Sequence, residues 1–192
     1  MGMAQPLATR RSATGIPTGR LSLWWILGSE IVIFGGLLMC YLLFRTMYPH
    51  WGEWASHTNT WFGAINTFVL LTSSLFAVLA HQAAECKQGA KAFGYLWLTI
   101  GGGITFLIIK SIEWTIEISH GYTISANNFW SFYYTAAGLH ALHVIAGMIC
   151  MGFVSFDALK GRNLQRVEYV GIYWHFVDVV WIFLFPLLYI AK

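Results

Sequence analysis

Charge is what this sequence has least of. Asp, Glu, Lys and Arg make up 10% of its 192 residues, against about 25% in an ordinary soluble domain. The net charge of +3 is spread over several short segments, so no basic face exists for nucleic acid to bind. Cysteine is also scarce. Cys40, Cys86 and Cys150 stand far apart, with no C-x-x-C, no C-x-x-C-H for covalent haem and no zinc spacing. Cys40 and Cys150 read as buried small hydrophobes. Internal repeats and low-complexity tracts are missing too, which argues against a transporter built from two related halves. No cleavable signal is expected. The apolar stretch after Arg10, Arg11 and Arg20 is too long for a signal h-region and has no A-x-A site.

What is present is apolar sequence. Hydrophobic residues make up 57% of the chain and aromatics 17%, and mean hydropathy is +0.60. A helix needs about 20 apolar residues to cross a hydrocarbon core about 30 Å thick. The pattern predicts an all-α, polytopic transmembrane bundle of five helices, with spans near 21–44, 61–81, 92–113, 129–156 and 170–191. The third span is expected to continue as helix to about Ile118. Residues 1–20, with Pro6, Gly15, Pro17 and Gly19, read as a flexible cytoplasmic tail, and 21–192 as one transmembrane domain. Tyr48, Pro49, His50 and Trp51 read as an aromatic interfacial loop. Gly101-Gly102-Gly103 lies inside the third span, where small residues let a second helix approach.

Five spans put the termini on opposite sides. Arg10, Arg11, Arg20, Lys87, Lys91, Lys160, Arg162 and Arg166 fall on one side, and Arg45, Lys110 and Lys192 on the other. Positive residues collect in the cytoplasm, so the N-terminus is expected there and the C-terminus in the periplasm of a bacterial inner membrane.

Ionisable groups inside a membrane are costly, and each is a candidate functional residue. Glu30 stands nine residues into the first span, beside Ser29, with no cation one turn away. It reads either as a protonated carboxyl bonded to a neighbouring helix or as a proton-linked carboxyl. His140 and His143 share a helix face at i, i+3, and His175 and Asp178 repeat that spacing in the last span. Paired histidines with a carboxylate suggest a di-metal bundle or a bis-histidine haem. The counts oppose both. A di-iron bundle needs four Glu, and Glu30 is the one clearly mid-span. A haem needs a cavity, and these helices are crowded with rings. The expectation is an interhelical hydrogen-bond network of His140, His143, His175 and Asp178, with no metal in this chain. Lys110, Glu113 and Glu117 read as an ion-pair ladder at the membrane surface. Lys160, Arg162 and Arg166 read as the topology signal, or as contacts for anionic phospholipid head groups.

Several of these segments have a familiar form. The run from Tyr173-Trp174-His175-Phe176-Val177-Asp178 through Trp181 to Phe185 resembles the closing helix of subunit III of the haem–copper terminal oxidases. Gly138-Leu139-His140-Ala141-Leu142-His143-Val144 to Gly147 resembles that family's G-x-H-x-L-H-V-x-x-G signature. Ser29-Glu30, Asn66-Thr67 with Leu70 to Ser74, and Glu113-Trp114 through Phe132 fit other segments of the same family in the correct order. The chain is similar to the short, five-helix bacterial form. The longer form has two more helices, which wall a lipid-holding cleft, so its lipid sites do not carry over directly.

The resemblance implies an accessory subunit without a redox centre, beside catalytic subunit I and subunit II, which hold haem and copper. It also implies support of assembly, stability and proton uptake. Two rivals stay open at this point. One is the subunit III-like partner of a nitric oxide reductase, and the other is a self-standing haem or di-metal membrane enzyme.

Overall fold

A computed structural model describes Gly15 and residues 17–191. The expected tail at 1–20 lies largely outside those residues. Every regular element in the described part is a helix: α1 (Thr18–Met47), α2 (Trp51–Ser56), α3 (Thr60–Glu85), α4 (Gly89–Ser119), α5 (Asn128–Leu159) and α6 (Gln165–Phe185). A π-helical turn, Pro186–Ile190, extends α6. Five of these helices are long and apolar enough to cross a membrane. At ~1.5 Å per residue, the 31 residues of α4 span ~46 Å. The long helices therefore run well past the hydrocarbon core at their ends.

Local chemistry sets the helix ends. Asn59 Oδ1 accepts from the backbone N–H of Trp61 at 3.0 Å, and Asn127 Oδ1 from that of Trp130 at 3.1 Å. These contacts satisfy amide donors that the first turns of α3 and α5 leave open. The connections are short. Lys87 (φ 57°) turns α3 into α4, and Gly161 (φ 66°) with Asn163 (φ 50°) turns α5 into α6.

The first loop differs from the expected interfacial turn. It contains α2, whose Trp51 is buried against Tyr41 (ring centroids 5.1 Å apart) and Phe129 (5.7 Å). A six-residue helix has little stability of its own, so this burial holds it. Cys40 and Cys150 correct another expectation, because both are exposed on the outer face of the bundle. Thiols are apolar enough for that surface to suit them as well as a core.

Helices α3, α4, α5 and α6 form the packed bundle, and α1 lies against α6 and α5 with far fewer contacts. Two members of the glycine run serve close approach. A Cβ on Gly102 would stand 2.5 Å from Ser73 Cβ, and one on Gly103 would stand 2.9 Å from the Trp174 ring, while Gly101 faces open space. Polar contacts that hold α1 include Arg20 to Glu168, Glu30 to His143, and the Tyr41 hydroxyl to the Leu187 carbonyl at 2.6 Å.

Candidate functional site

The polar residues of the bundle fall into three settings. The first is the seam between α1 and α5. His143 Nε2 lies 2.9 Å from Glu30 Oε2, and both side chains are mostly covered. The approach is off the line of a good hydrogen bond, and Glu30 Oε2 has no other partner. His143 Nδ1 is 2.7 Å from the Leu139 carbonyl, and Phe34 packs edge-on against the ring at 5.2 Å. A carbonyl only accepts, so Nδ1 carries a hydrogen. Nε2 is then the ring nitrogen that faces the Glu30 carboxyl.

The second setting is the seam between α3 and α6, which brings two recognised segments face to face. Trp174 Nε1 donates to Ser73 Oγ at 3.0 Å, and Trp181 Nε1 donates to Thr67 Oγ1 at 3.0 Å. Between them, Ser74 Oγ and His175 Nδ1 are 2.6 Å apart. Ser74 also lies beside the Asp178 carboxyl, yet both Asp178 oxygens are buried without a hydrogen bond of standard geometry. His140 is wholly buried between the rings of Phe106 (5.4 Å) and Trp181 (5.1 Å), and neither of its nitrogens has a partner. The four residues expected in one network are therefore spread over separate environments. Their side chains do not converge, and among the described residues no three His, Cys, Asp or Glu side chains are placed to hold a metal ion.

The third setting was not legible as such in the sequence. Lys110, Glu113 and Glu117 lie inside the bundle, 2%, 1% and 6% exposed, rather than at its surface. Lys110 Nζ donates to Glu113 Oε2 at 3.0 Å, to Tyr133 Oη at 2.9 Å and to Tyr189 Oη. Tyr189 donates to Glu113 Oε1 at 2.7 Å, and the Tyr133 hydroxyl stands 3.2 Å from Glu117 Oε1. Helical spacing puts the three charged residues on one face, which was readable. The burial comes from tyrosines on α5 and the final turn, which was not.

At the loop between α5 and α6, Arg166 Nη1 donates to Asp157 Oδ2 at 2.8 Å, whereas Lys160 and Arg162 are exposed. The last two are free to meet head groups, and Arg166 is already engaged.

Five membrane-length helices, fastened through paired polar side chains and presenting apolar faces outward, define a multi-pass helical membrane protein. The chain belongs to the cytochrome c oxidase subunit III family, whose model matches residues 20–192. It is 34% identical over 176 residues to cytochrome c oxidase subunit 3 of Thermostichus vulcanus, which covers 88% of this chain and 86% of that protein. Against the Bacillus subtilis subunit 3 the identity is 32% over 176 residues, covering 88% and 84%. A heme-copper oxidase subunit I+III of Aeropyrum pernix is 31% identical over 185 residues, covering 90% of this chain and 22% of that protein.

Proposed function

We propose that this chain is the accessory subunit III of a haem–copper respiratory oxidase. In this reading it sits in a bacterial cytoplasmic membrane, with its N-terminus inside, beside subunits I and II, which carry haem and copper. It supports assembly, stability and proton uptake of the catalytic subunit and holds no redox centre itself. Membership of the subunit III family over nearly the whole chain carries the reading. The Aeropyrum relative, named for a fusion of subunits I and III, supports a catalytic neighbour. Glu30 is assigned a proton-linked role in this reading, because it is a mostly covered carboxyl inside an apolar bundle with a histidine 2.9 Å away. His143 and His175 tie helices together through Glu30 and Ser74, His140 and Asp178 fill the bundle between them, and phospholipid covers the outer face, with Lys160 and Arg162 at the head groups.

The experiment is purification from native membranes by a tag on this chain, followed by optical spectra and turnover of what accompanies it. An oxygen-reducing subunit with haem and copper is expected. A nitric oxide-reducing partner, or stoichiometric iron or copper in this chain alone, would overturn the reading. Glu30→Ala in the same complex is expected to shorten the time over which turnover is sustained. Unchanged assembly, turnover and inactivation would remove Glu30 from the mechanism.

A further inference from the structure

The seam between α3 and α6 ends on a carboxyl that has no donor. Asp178 is 4% exposed, and both of its oxygens lack a hydrogen bond of standard geometry. Its polar neighbour across the seam is Ser74, whose Oγ lies 2.6 Å from His175 Nδ1. A serine has one hydroxyl proton. Ionised, Asp178 would compete with the imidazole for that proton, and a charged oxygen would stay bare in a closed seam, which is costly. Protonated, the three groups agree in one direction. Asp178 donates to Ser74 Oγ, Ser74 Oγ donates to His175 Nδ1, and the ring hydrogen of His175 sits on Nε2. The oxygen left bare is then a neutral carbonyl.

This line of donors leads to one end of the bundle. His81 is seven residues beyond Ser74, about two turns, and so on the same face of α3. It is half-buried, close enough to His175 for the charge of one ring to act on the other, and 3.5 Å from the exposed Glu85 at the helix end. The other titratable groups packed around α6 are engaged elsewhere. Glu30 of α1 faces His143 of α5, and His140 of α5 lies between Phe106 and Trp181. Lys110 of α4 is held by Glu113 and two tyrosines. None of them hydrogen-bonds Asp178.

We propose that Asp178 is a proton-exchange site inside the bundle, loaded and unloaded through Ser74, His175 and His81 from the end that carries Glu85. In unloading, the Asp178 O–H bond breaks and its proton goes to Ser74 Oγ, while the hydroxyl proton of Ser74 passes to His175 Nδ1. Aspartate, serine and an imidazolium result. The imidazolium gives its Nε2 proton to His81, directly or through water, at the half-buried mouth of the seam. His175 keeps its hydrogen on Nδ1, and the line of donors points the other way, with Ser74 serving the carboxylate. Loading is the reverse, and no electron changes hands. The proposal rests on the subunit III reading only in naming the Glu85 end cytoplasmic.

The test is infrared difference spectroscopy on the full chain, in the complex that its tag recovers. The carbonyl stretch of a protonated carboxyl stands apart from the amide bands and shifts when its hydrogen becomes deuterium. A band present in the wild type and lost in Asp178→Asn is expected, and ²H₂O is expected to shift it. Ser74→Thr and Ser74→Val introduce side chains of one shape that differ by a hydroxyl. Exchange is expected at the wild-type rate in the first and about tenfold slower in the second, the size of losing one hydrogen-bonded step. His81→Phe, at the rim, is expected to slow it as well. Amide exchange along α6, followed in the same samples, reports whether the seam has stayed closed.

The absence of a band that depends on Asp178, or a band that ²H₂O leaves in place, would overturn the proposal. So would equal rates in Ser74→Thr and Ser74→Val with α6 equally protected in both. Where Ser74→Val opens the seam or fails to accumulate, His81→Phe decides: slowed exchange supports the relay, and the wild-type rate overturns it. The band is read whichever catalytic partner accompanies the chain. A nitric oxide-reducing partner would therefore end the oxidase reading and leave this site standing, and a missing band would do the opposite.

Discussion

His143 Nε2 lies 2.9 Å from Glu30 Oε2 and brings α1 to α5 near the midpoint of both helices. Glu30 is twelve residues beyond Thr18, ~18 Å along the helix. Neither Arg20 nor Tyr41, the fastenings at the two ends, can substitute for it at that depth. α1 packs less tightly on its neighbours than they pack on one another, and Glu30 is its polar contact midway along, beside the buried Leu23, Leu27, Phe34 and Tyr41.

Truncating either member therefore frees α1 locally. Glu30→Ala is expected to cost about 1–3 kcal/mol, because it leaves a mostly covered imidazole without its partner. His143→Ala is expected to cost a similar amount. The double variant measures the pair itself: a coupling of about 1 kcal/mol in thermal or denaturant unfolding is expected. Additive losses would mean that the two side chains act independently.

The α4 cluster predicts a larger effect. Lys110→Met leaves the Glu113 carboxylate buried, with two tyrosine hydroxyls and no cation. Breaking a buried pair from one side typically costs about 3–5 kcal/mol. The chain is expected to lose most of its accumulation in membranes, as read by quantitative blotting. Lys110→Met with Glu113→Gln removes both charges and is expected to recover a large part of the loss. A double variant as poor as the single one would assign the effect to packing by the lysine stem instead.

How much of this was readable beforehand depended on whether the signal was local. The five spans were legible because hydropathy along 20-odd residues decides them without reference to neighbours. α2 was not, since its helix depends on Trp51 finding Tyr41 and Phe129. Glu30 and His143 each stood out as intramembrane ionisable groups. Their pairing joins residues 113 positions apart, which no spacing rule reaches. For Lys110, Glu113 and Glu117 the shared face was visible, but their depth was set by Tyr133 and Tyr189 on other elements. Segments resembling subunit III lie on both sides of the α3–α6 seam, but nothing in the sequence paired them. The partners Ser73, Ser74 and Thr67 became apparent once the helices were side by side.

Gly89 offers a test of helix-end packing. A Cβ there would stand 2.1 Å from the Ala158 carbonyl oxygen, which is backbone and cannot rotate away. Gly89→Ala must therefore push α4 off the end of α5, at a cost of about 1–3 kcal/mol. Gly94, five residues on in the same helix, has nothing within 4 Å of such a Cβ. Gly94→Ala is expected to be neutral or stabilising by up to about 1 kcal/mol, from helix propensity and reduced freedom of the unfolded chain. Comparing the two thermal midpoints separates close packing from propensity. Equal midpoints would mean that the α4–α5 contact yields without loss.

The hydroxyl run Thr72-Ser73-Ser74 makes a last distinction within a single turn of α3. Thr72 Oγ1 donates within its own helix, to the Phe68 carbonyl at 2.8 Å, and the half-buried side chain has no hydrogen bond to another helix. Thr72→Ala should therefore change stability by less than about 0.5 kcal/mol. Ser74 is different, because its hydroxyl meets His175 Nδ1 at 2.6 Å and neighbours the Asp178 carboxyl. Ser74→Ala leaves His175 without that partner and Asp178 with fewer donors than before, in a seam that is largely closed. The expected cost is about 1–3 kcal/mol. Hydrogen exchange should then rise along α6 around His175, while α4 stays protected. If Thr72→Ala and Ser74→Ala behaved alike, the seam would be held by its ring packing, with the Ser74–His175 contact contributing nothing measurable.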